Sequence, residues 1–272
     1  MTRKLAVIGI GNMAKAIIAG IVNSDITVSE IIVYDSNPEQ YKDLPTDSFN
    51  FTFAPDAETA VSMSDCVLIA VKPQNYPEVL QKISKASGYE KKLYISIGAG
   101  ITVKSISEKL QTSSVVRVLP NVPMIIGKGV SVICKNNDVS QSDFEFVCSV
   151  FRCAGSNVLI EETEMNRMIG VTSSSPAYVF KFINAIYQGA LAQGLDGKEI
   201  LRAVCDMVIG SAELLKSSDD TPEALIKKVA SKGGTTEQAL LKLDENNFDD
   251  IIREAMIACT ARADELGAIK NK

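Results

Sequence analysis

Gly9, Gly11 and Ala14 stand at the spacing that binds a dinucleotide when a strand precedes them and a helix follows. Gly9 permits a tight turn. Gly11 lets a pyrophosphate approach the backbone, and Ala14 is small enough for close helix–strand packing. With Ile10, Asn12 and Met13 they form a turn whose free N–H groups and positive dipole end suit phosphate oxygens. Asp35 closes the next apolar run, where an acidic residue accepts bonds from the adenosine 2′-hydroxyl and repels a 2′-phosphate. Ser36 and Asn37 beside it are phosphate donors by type, and Lys42 adds charge. In the other reading, Asp35 or Asn37 caps the helix that follows. Three more stretches fall at strand ends, where ligands bind in open α/β sheets: Ala70-Val71-Lys72-Pro73, Gly98-Ala99-Gly100 and Pro120-Asn121-Val122-Pro123. Lys72 reads either as a cofactor contact or as a solvated loop charge. Gly98 and Ala99 are small enough for a nicotinamide ring to lie against them, and two prolines make the loop around Asn121 rigid.

A second glycine-rich stretch, Ser231-Lys232-Gly233-Gly234-Thr235-Thr236, joins two helices. Paired glycines before a helix expose N–H groups that suit a carboxylate. Thr235 and Thr236 add hydroxyls that donate or accept. The same residues also read as an ordinary interhelical turn with a threonine cap. The chain has no histidine, the commonest acid–base catalyst and metal ligand, so neither a catalytic triad nor a metal site is expected.

These residues need elements to hold them. Lys4 to Ile8 reads as a strand leading into a helix with Ala14, Ile17, Ile18 and Ile21 on one face. Further strands are expected at Ile31–Tyr34, Asn50–Phe53, Cys66–Val71, Leu93–Ile97, Val115–Leu119, Val130–Cys134 and Asn157–Ile160. Helices are expected between them at Asp56–Met63, Thr102–Leu110 and Ser142–Phe151. Such alternation to about residue 160 implies a doubly wound, mostly parallel sheet, placing a dinucleotide-binding domain at residues 1–160. Residues 161–272 show no good strand. Thr163 to Gln193 is one helical pattern that Ser174-Ser175-Pro176 should interrupt. Asp196 with Glu199 reads as a capping box, Thr221-Pro222 as a cap and first residue, and Thr235 with Gln238 as another cap. The last helix is expected at Asp249–Leu266. Several of these helices are apolar on most sides and carry small residues such as Ala203, Gly210 and Ala212. A helix of that kind is buried in something larger than its own layer, which implies a subunit interface.

The chain has 272 residues, 46% hydrophobic and 22% charged, with a formal charge of −5, a soluble globular balance. No basic patch points to nucleic acid, and no apolar run reaches membrane-spanning length. Six cysteines without a C-x-x-C pair read as reduced core residues of a cytoplasmic protein with no signal peptide.

Five ordered segments extend the reading: Val7-Ile8-Gly9-Ile10-Gly11-Asn12-Met13, Ala70-Val71-Lys72-Pro73, Leu119-Pro120-Asn121-Val122-Pro123, Gly170 to Tyr178, and Ser231 to Thr236. Through them the chain resembles the pyrroline-5-carboxylate reductases along nearly its whole length. The resemblance implies a Rossmann domain followed by an all-helical dimerisation domain. It also implies a homodimer that often assembles further, to decamers. The implied activity is reduction of a cyclic imine, pyrroline-5-carboxylate, to L-proline with NADPH or NADH. By position, Ser231, Gly233, Gly234 and Thr236 would hold substrate, with Thr235 beside them, Glu162 near and Thr236 as the catalytic hydroxyl. Lys232 stands where the family usually has proline, Ala14 replaces a glycine, and Asp35 is atypical for an NADPH enzyme. Two rival readings are a 3-hydroxyisobutyrate-type dehydrogenase, for which Lys181 and Asn184 are suggestively spaced, and a dinucleotide sensor without turnover.

Overall fold

The computed structural model describes residues 2–270, the side chains of 266–270 aside. Leu5 and Val7 lie on one face of the first strand and Ala6 and Ile8 on the other, and all four are buried. Burial on both faces is what a central parallel strand requires. That strand is β1 (Arg3–Ile8). With β2 (Val28–Tyr34), β3 (Phe51–Phe53), β4 (Cys66–Ile69), β5 (Leu93–Ser96), β6 (Val115–Leu119), β7 (Gly129–Lys135) and β8 (Gly155–Leu159) it forms one sheet. The order is β3-β2-β1-β4-β5-β6-β7-β8. The first six strands are parallel, in the order of a doubly wound dinucleotide fold. β7 turns antiparallel to β6, with Leu119 opposite Val132, and β8 follows β7 in parallel.

Helices α1 (Asn12–Val22) and α5 (Gln141–Arg152) cover one face of the sheet. Helices α2 (Ala57–Ser62), α3 (Tyr76–Ile83) and α4 (Val103–Leu110) cover the other. The expected elements all form, with ends shifted by a few residues. Asp56, Thr102 and Ser140 cap α2, α4 and α5 through their side chains.

After β8 a short turn at Glu162–Glu164 leads into α6 (Met165–Met168) and one π-helical turn at Ile169–Ser173. The Ser174 N–H donates to the Ile169 carbonyl, five residues back, at 2.8 Å. The expected interruption of the helix is this π turn. Four residues past Thr172 stands Pro176, which has no N–H to offer the Thr172 carbonyl. The Asn121 amide donates to it instead, at 3.0 Å.

The chain divides into two compact units, Met1–Ser174 with Ile257–Lys272, and Ser175–Met256. The strands end near the expected boundary at residue 160, but the first unit runs on to Ser174. Met165 and Ile169 belong to its buried cluster, as does Ala263 from the last helix, α11 (Phe248–Lys270). Asn166 also donates to Asp264 at 2.7 Å.

The second unit holds α7 (Ser175–Ala192), α8 (Lys198–Ser217), α9 (Pro222–Val229), α10 (Thr235–Glu245) and the start of α11. Thr221 caps α9 by accepting from the Ala224 N–H at 3.3 Å, with Pro222 first in the helix, as expected. Two other expected caps are corrected. Gly197, at φ +119°, is the N-cap of α8, and Asp196 accepts from the Gly197 N–H at 2.6 Å instead of closing a box with Glu199. Gly234, not Thr235, is the N-cap of α10. A glycine supplies no cap oxygen, so both helices start without a side-chain cap.

Candidate active site

The glycine turn has the geometry its residues imply. Gly9 sits at φ +92°, and a Cβ there would stand 2.8 Å from Val71 Cγ1 and 3.0 Å from the Ala70 carbonyl carbon. Only glycine fits. Gly11 is the extended N-cap of α1, and a Cβ there would meet nothing within 4 Å. No side chain caps α1. A side chain at position 11 would thus project into open space, and the first turn of α1 keeps its N–H groups uncapped, which suits a pyrophosphate at a helix N-terminus.

Ile10 is engaged differently. Its N–H donates to Asp35 Oδ2 at 2.7 Å, and the Asn37 N–H donates to Asp35 Oδ1 at 2.8 Å. The Asp35 carboxylate therefore ties the end of β2 to the glycine turn. Tyr41 closes the corner, its hydroxyl accepting from the Asp35 N–H at 2.7 Å. Asn37 is the residue that caps, its side chain accepting from the Glu39 N–H at 3.2 Å, while Ser36 is exposed. Lys42 pairs with Glu39.

At the carboxyl ends of β4, β5 and β6 lies a cleft of about 250 Å³. Ala70, Val71 and Lys72 line it from β4, Ile97 and Ala99 from β5, Leu119 and Pro120 from β6, and Met13, Ile169 and Ser173 complete it. Apart from Lys72 and Ser173 the lining is apolar. Lys72 precedes Pro73, which starts a short turn and fixes the chain after the strand. Pro120 lies in one of the expected strand-end stretches, whereas Ile97, Leu119, Ile169 and Ser173 were not singled out as site residues. For Leu119 a signal existed, since it ends a strand, and Ser173 falls in the Gly170–Tyr178 segment that carries the family resemblance. For Ile169 there was none.

Two expected cofactor residues have contacts within the protein. A Cβ on Gly98 would stand 2.6 Å from the Tyr76 ring. The small size of Gly98 therefore makes room for this buried tyrosine, whose hydroxyl donates to the Ile69 carbonyl and meets Ser96 Oγ, each at 2.9 Å. Asn121 is buried, and both ends of its amide are used: Oδ1 accepts from the Val130 N–H at 2.8 Å while Nδ2 holds Thr172.

Glu162 is likewise committed within the first unit. Its Oε1 accepts from the Val103 N–H at 2.7 Å, at the start of α4, and lies 3.4 Å from Arg117 Nη1. A carboxylate is favoured there by the helix dipole. Arg117 is 2% exposed in the middle of β6. Its guanidinium also donates to Asn166 Oδ1 at 2.9 Å, while its Nε has no partner among the described residues. Glu162 is thus the counter-charge of a buried arginine.

In the second unit, Gly233 adopts φ +73° and the Gly234 N–H donates to the Ser231 carbonyl at 2.9 Å. A Cβ on Gly234 would lie 3.0 Å from that carbonyl oxygen. The Gly233 N–H donates to Glu237 Oε2 at 2.7 Å. The loop thus already holds a carboxylate, one from its own helix. Ser231, Lys232 and Thr235 are exposed and Thr236 is half-buried.

All six cysteines are free; Cys66, Cys134 and Cys148 are buried and the others partly so. Burial pushes the Cys66 and Cys134 thiols up to about 12, so neither is a nucleophile at neutral pH. Among the described residues, no three His, Cys, Asp or Glu side chains gather to hold a metal, and no helix is long and apolar enough to cross a membrane.

A parallel sheet in 3-2-1-4-5-6 order, an uncapped helix behind a glycine turn and an apolar cleft at the strand ends define a dinucleotide-dependent oxidoreductase fold with a helical second unit. Residues 4–100 match the family model "NADP oxidoreductase coenzyme F420-dependent", and residues 162–266 match "Pyrroline-5-carboxylate reductase dimerisation". The pyrroline-5-carboxylate reductase of Escherichia coli (strain K12) is 32% identical, covering 98% of this chain and 99% of its own. That of Aquifex aeolicus (strain VF5) is 33% identical, covering 98% of each. The crystal structure of Plasmodium falciparum pyrroline carboxylate reductase with NADP bound superposes at a TM-score of 0.87 with 28% identity, covering 97% of this chain and 98% of that one. The chain belongs to the pyrroline-5-carboxylate reductase family.

Proposed function

We propose that this enzyme reduces L-1-pyrroline-5-carboxylate to L-proline with NADH or NADPH, the last step of proline biosynthesis. The observation that carries the substrate reading is the Ser231–Thr236 loop, whose Gly233 N–H already binds a carboxylate at 2.7 Å. In this reading the substrate carboxylate takes the Gly233 N–H and the uncapped N–H groups that start α10 behind Gly234, with Ser231 and Thr235 at its edge. The Thr236 hydroxyl reaches the ring nitrogen as donor or acceptor. A cyclic imine protonated near neutral pH is already electrophilic, so no side-chain acid is needed and the lack of histidine is no obstacle.

The cofactor, when bound, supplies the hydride. This chain's part is to hold it. Gly9, Gly11, Asn12 and Met13 take the pyrophosphate, and the cleft lined by Ala70, Val71, Lys72 and Ala99 takes the nicotinamide. Asp35, with Ser36 and Asn37 beside it, stands at the adenosine ribose, and its carboxylate has lone pairs to spare beyond the two backbone bonds it accepts. Glu162 and Asn121 are not part of this assignment: Glu162 Oε1 pairs with Arg117 and holds the start of α4, and both ends of the Asn121 amide hold backbone groups.

The helical unit makes the enzyme a homodimer, with further assembly up to a decamer, and we place it in the cytoplasm. Lys181 and Asn184, which a hydroxyacid dehydrogenase would use, are both exposed on α7. Cofactor oxidation with pyrroline-5-carboxylate, compared with cofactor reduction by 3-hydroxy acids, tests the reading. Turnover of the imine is expected; turnover of hydroxy acids only, or of neither, overturns it.

A further inference from the structure

Ser173 ends the π turn, and its hydroxyl oxygen is buried with no hydrogen-bond partner among the described residues. It also lines the cleft at the strand ends. The π turn accounts for its position. π turns are rare and recur at functional sites. Here the turn carries Ile169 and Ser173 together to the cleft, while the neighbouring Thr172 hydroxyl turns back to the Met168 carbonyl at 3.1 Å. A buried hydroxyl left unpaired is costly, and of the other residues lining the cleft only Lys72 carries a polar side chain.

From this geometry we infer that Ser173 is a cofactor-positioning residue whose Oγ–H, shielded and unpaired in its present rotamer, turns about χ1 into the cleft to donate to the carboxamide oxygen of the bound nicotinamide. The inference rests on the proposal that the cleft takes the nicotinamide. The chemistry of the cleft matches that ring: two flat apolar faces and one polar substituent call for apolar walls and one hydrogen-bonding group. The substrate ring fits less well, because its carboxylate and its charged nitrogen each need a polar partner and the cleft offers one hydroxyl besides Lys72. A single bond to the carboxamide sets the rotation of the ring about its glycosidic bond, and hence which face it offers for hydride transfer.

The test is calorimetric titration of the full-length enzyme and of Ser173→Ala with NAD(P)H and with its thionicotinamide analogue, whose sulfur is the weaker acceptor. Ser173→Ala should weaken NAD(P)H binding by about three- to tenfold. It should change analogue binding by less than twofold and leave the melting temperature in place. Ser173→Cys, close in size and a weaker donor, should fall between wild type and Ala for NAD(P)H. Unchanged NAD(P)H binding in the alanine variant, or equal weakening for both cofactors, overturns the inference. So does an effect confined to the KM of the imine. Imine-dependent turnover by the unsubstituted enzyme is measured separately. An enzyme that turns over but shows no cofactor-selective effect at position 173 refutes this role alone, whereas an enzyme that binds no NAD(P)H refutes the cleft assignment and this role together.

Discussion

The two compact units treat their apolar residues in opposite ways. In the first, each residue from Leu5 to Val7 is fully shielded, and helices cover both faces of the sheet. In the second, Val204 alone among the described residues of 175–256 is buried, at 8% exposure. α7 has eighteen residues and buries none, with Phe180 60% exposed, and Val229 at the end of α9 is 68% exposed. The apolar side chains are there in both units; what differs is whether the chain itself supplies the other half of the contact. A parallel sheet closes its own core through the helices that connect its strands. A set of helices apolar on several sides cannot, and apolar surface of that extent marks an interface. The match to the dimerisation family spans residues 162–266 and takes in the whole second unit, which fits a core that a second subunit completes.

The largest expected effect breaks the second unit's side of this comparison. Phe180→Asp should weaken dimerisation at least a hundredfold, about 2.7 kcal/mol, because a charge would be desolvated in an apolar interface. Sedimentation velocity reads it directly. A wild type that is monomeric at micromolar concentration, or a Phe180→Asp protein that stays dimeric, would show that the exposed helices are not covered by a second copy. The next effect lies in the first unit. Glu162→Gln leaves Arg117 buried without a counter-charge, which costs about 2–3 kcal/mol once the part-exposure of Glu162 is allowed for. Tm should fall by roughly 5–10 °C with cofactor affinity little changed. If Tm holds and only the KM of the imine rises, Glu162 touches substrate and its bond to the start of α4 is incidental.

The same contrast explains what the sequence made legible. The strands of the first unit could be read because continuous apolar runs such as Cys-Val-Leu-Ile end in Gly or Pro punctuation, and both the pattern and its cause are local. The glycine turn was legible for the same reason, down to the need for glycine at position 9. Pro176 made an interruption legible, but not its form as a π turn at Ile169–Ser173, since the partner of the free carbonyl, Asn121, lies 51 residues away. Nor was the role of Glu162, although an arginine amid Val115, Val116, Val118 and Leu119 was a visible oddity that demanded a counter-charge. The caps at Asp196 and Thr235 failed because the capping oxygens were placed one residue off, where Gly197 and Gly234 start the helices. Loops joining helices carry little pattern, and there tertiary context decides.

Smaller effects sharpen the division of labour between the units. Asp35→Ser should move the ratio of catalytic efficiencies towards NADPH by more than tenfold, about 1.4 kcal/mol, by removing a negative charge from the 2′-phosphate position. Because Asp35 also holds the Ile10 N–H, some loss with both cofactors should accompany the shift. A wild type that strongly prefers NADPH, with a ratio the substitution leaves alone, would mean that Asp35 serves the turn only. In the second unit, Thr236→Val should lower kcat/KM for the imine by about two- to tenfold, the range of one neutral hydrogen bond, with cofactor affinity unchanged. Unaltered efficiency would remove Thr236 from the site.

The smallest expected effect comes from Glu237. Its carboxylate sits on the Gly233 N–H, the group assigned here to the substrate's carboxylate, so protein and substrate compete for one donor. Glu237→Gln separates the two things this side chain does. The amide oxygen of glutamine can still accept from the Gly233 N–H, so the loop keeps its shape, but the negative charge that an incoming carboxylate must displace is gone. Surface charges are worth only a few tenths of a kcal/mol after screening, so the KM for pyrroline-5-carboxylate should fall about two- to threefold at low ionic strength. The difference from wild type should shrink as salt is raised, because screening weakens the repulsion in the wild type alone. A KM that rises, at any ionic strength, would mean that the Glu237 carboxylate organises the loop for substrate and does not compete with it. The carboxylate of the imine would then bind elsewhere than on Gly233.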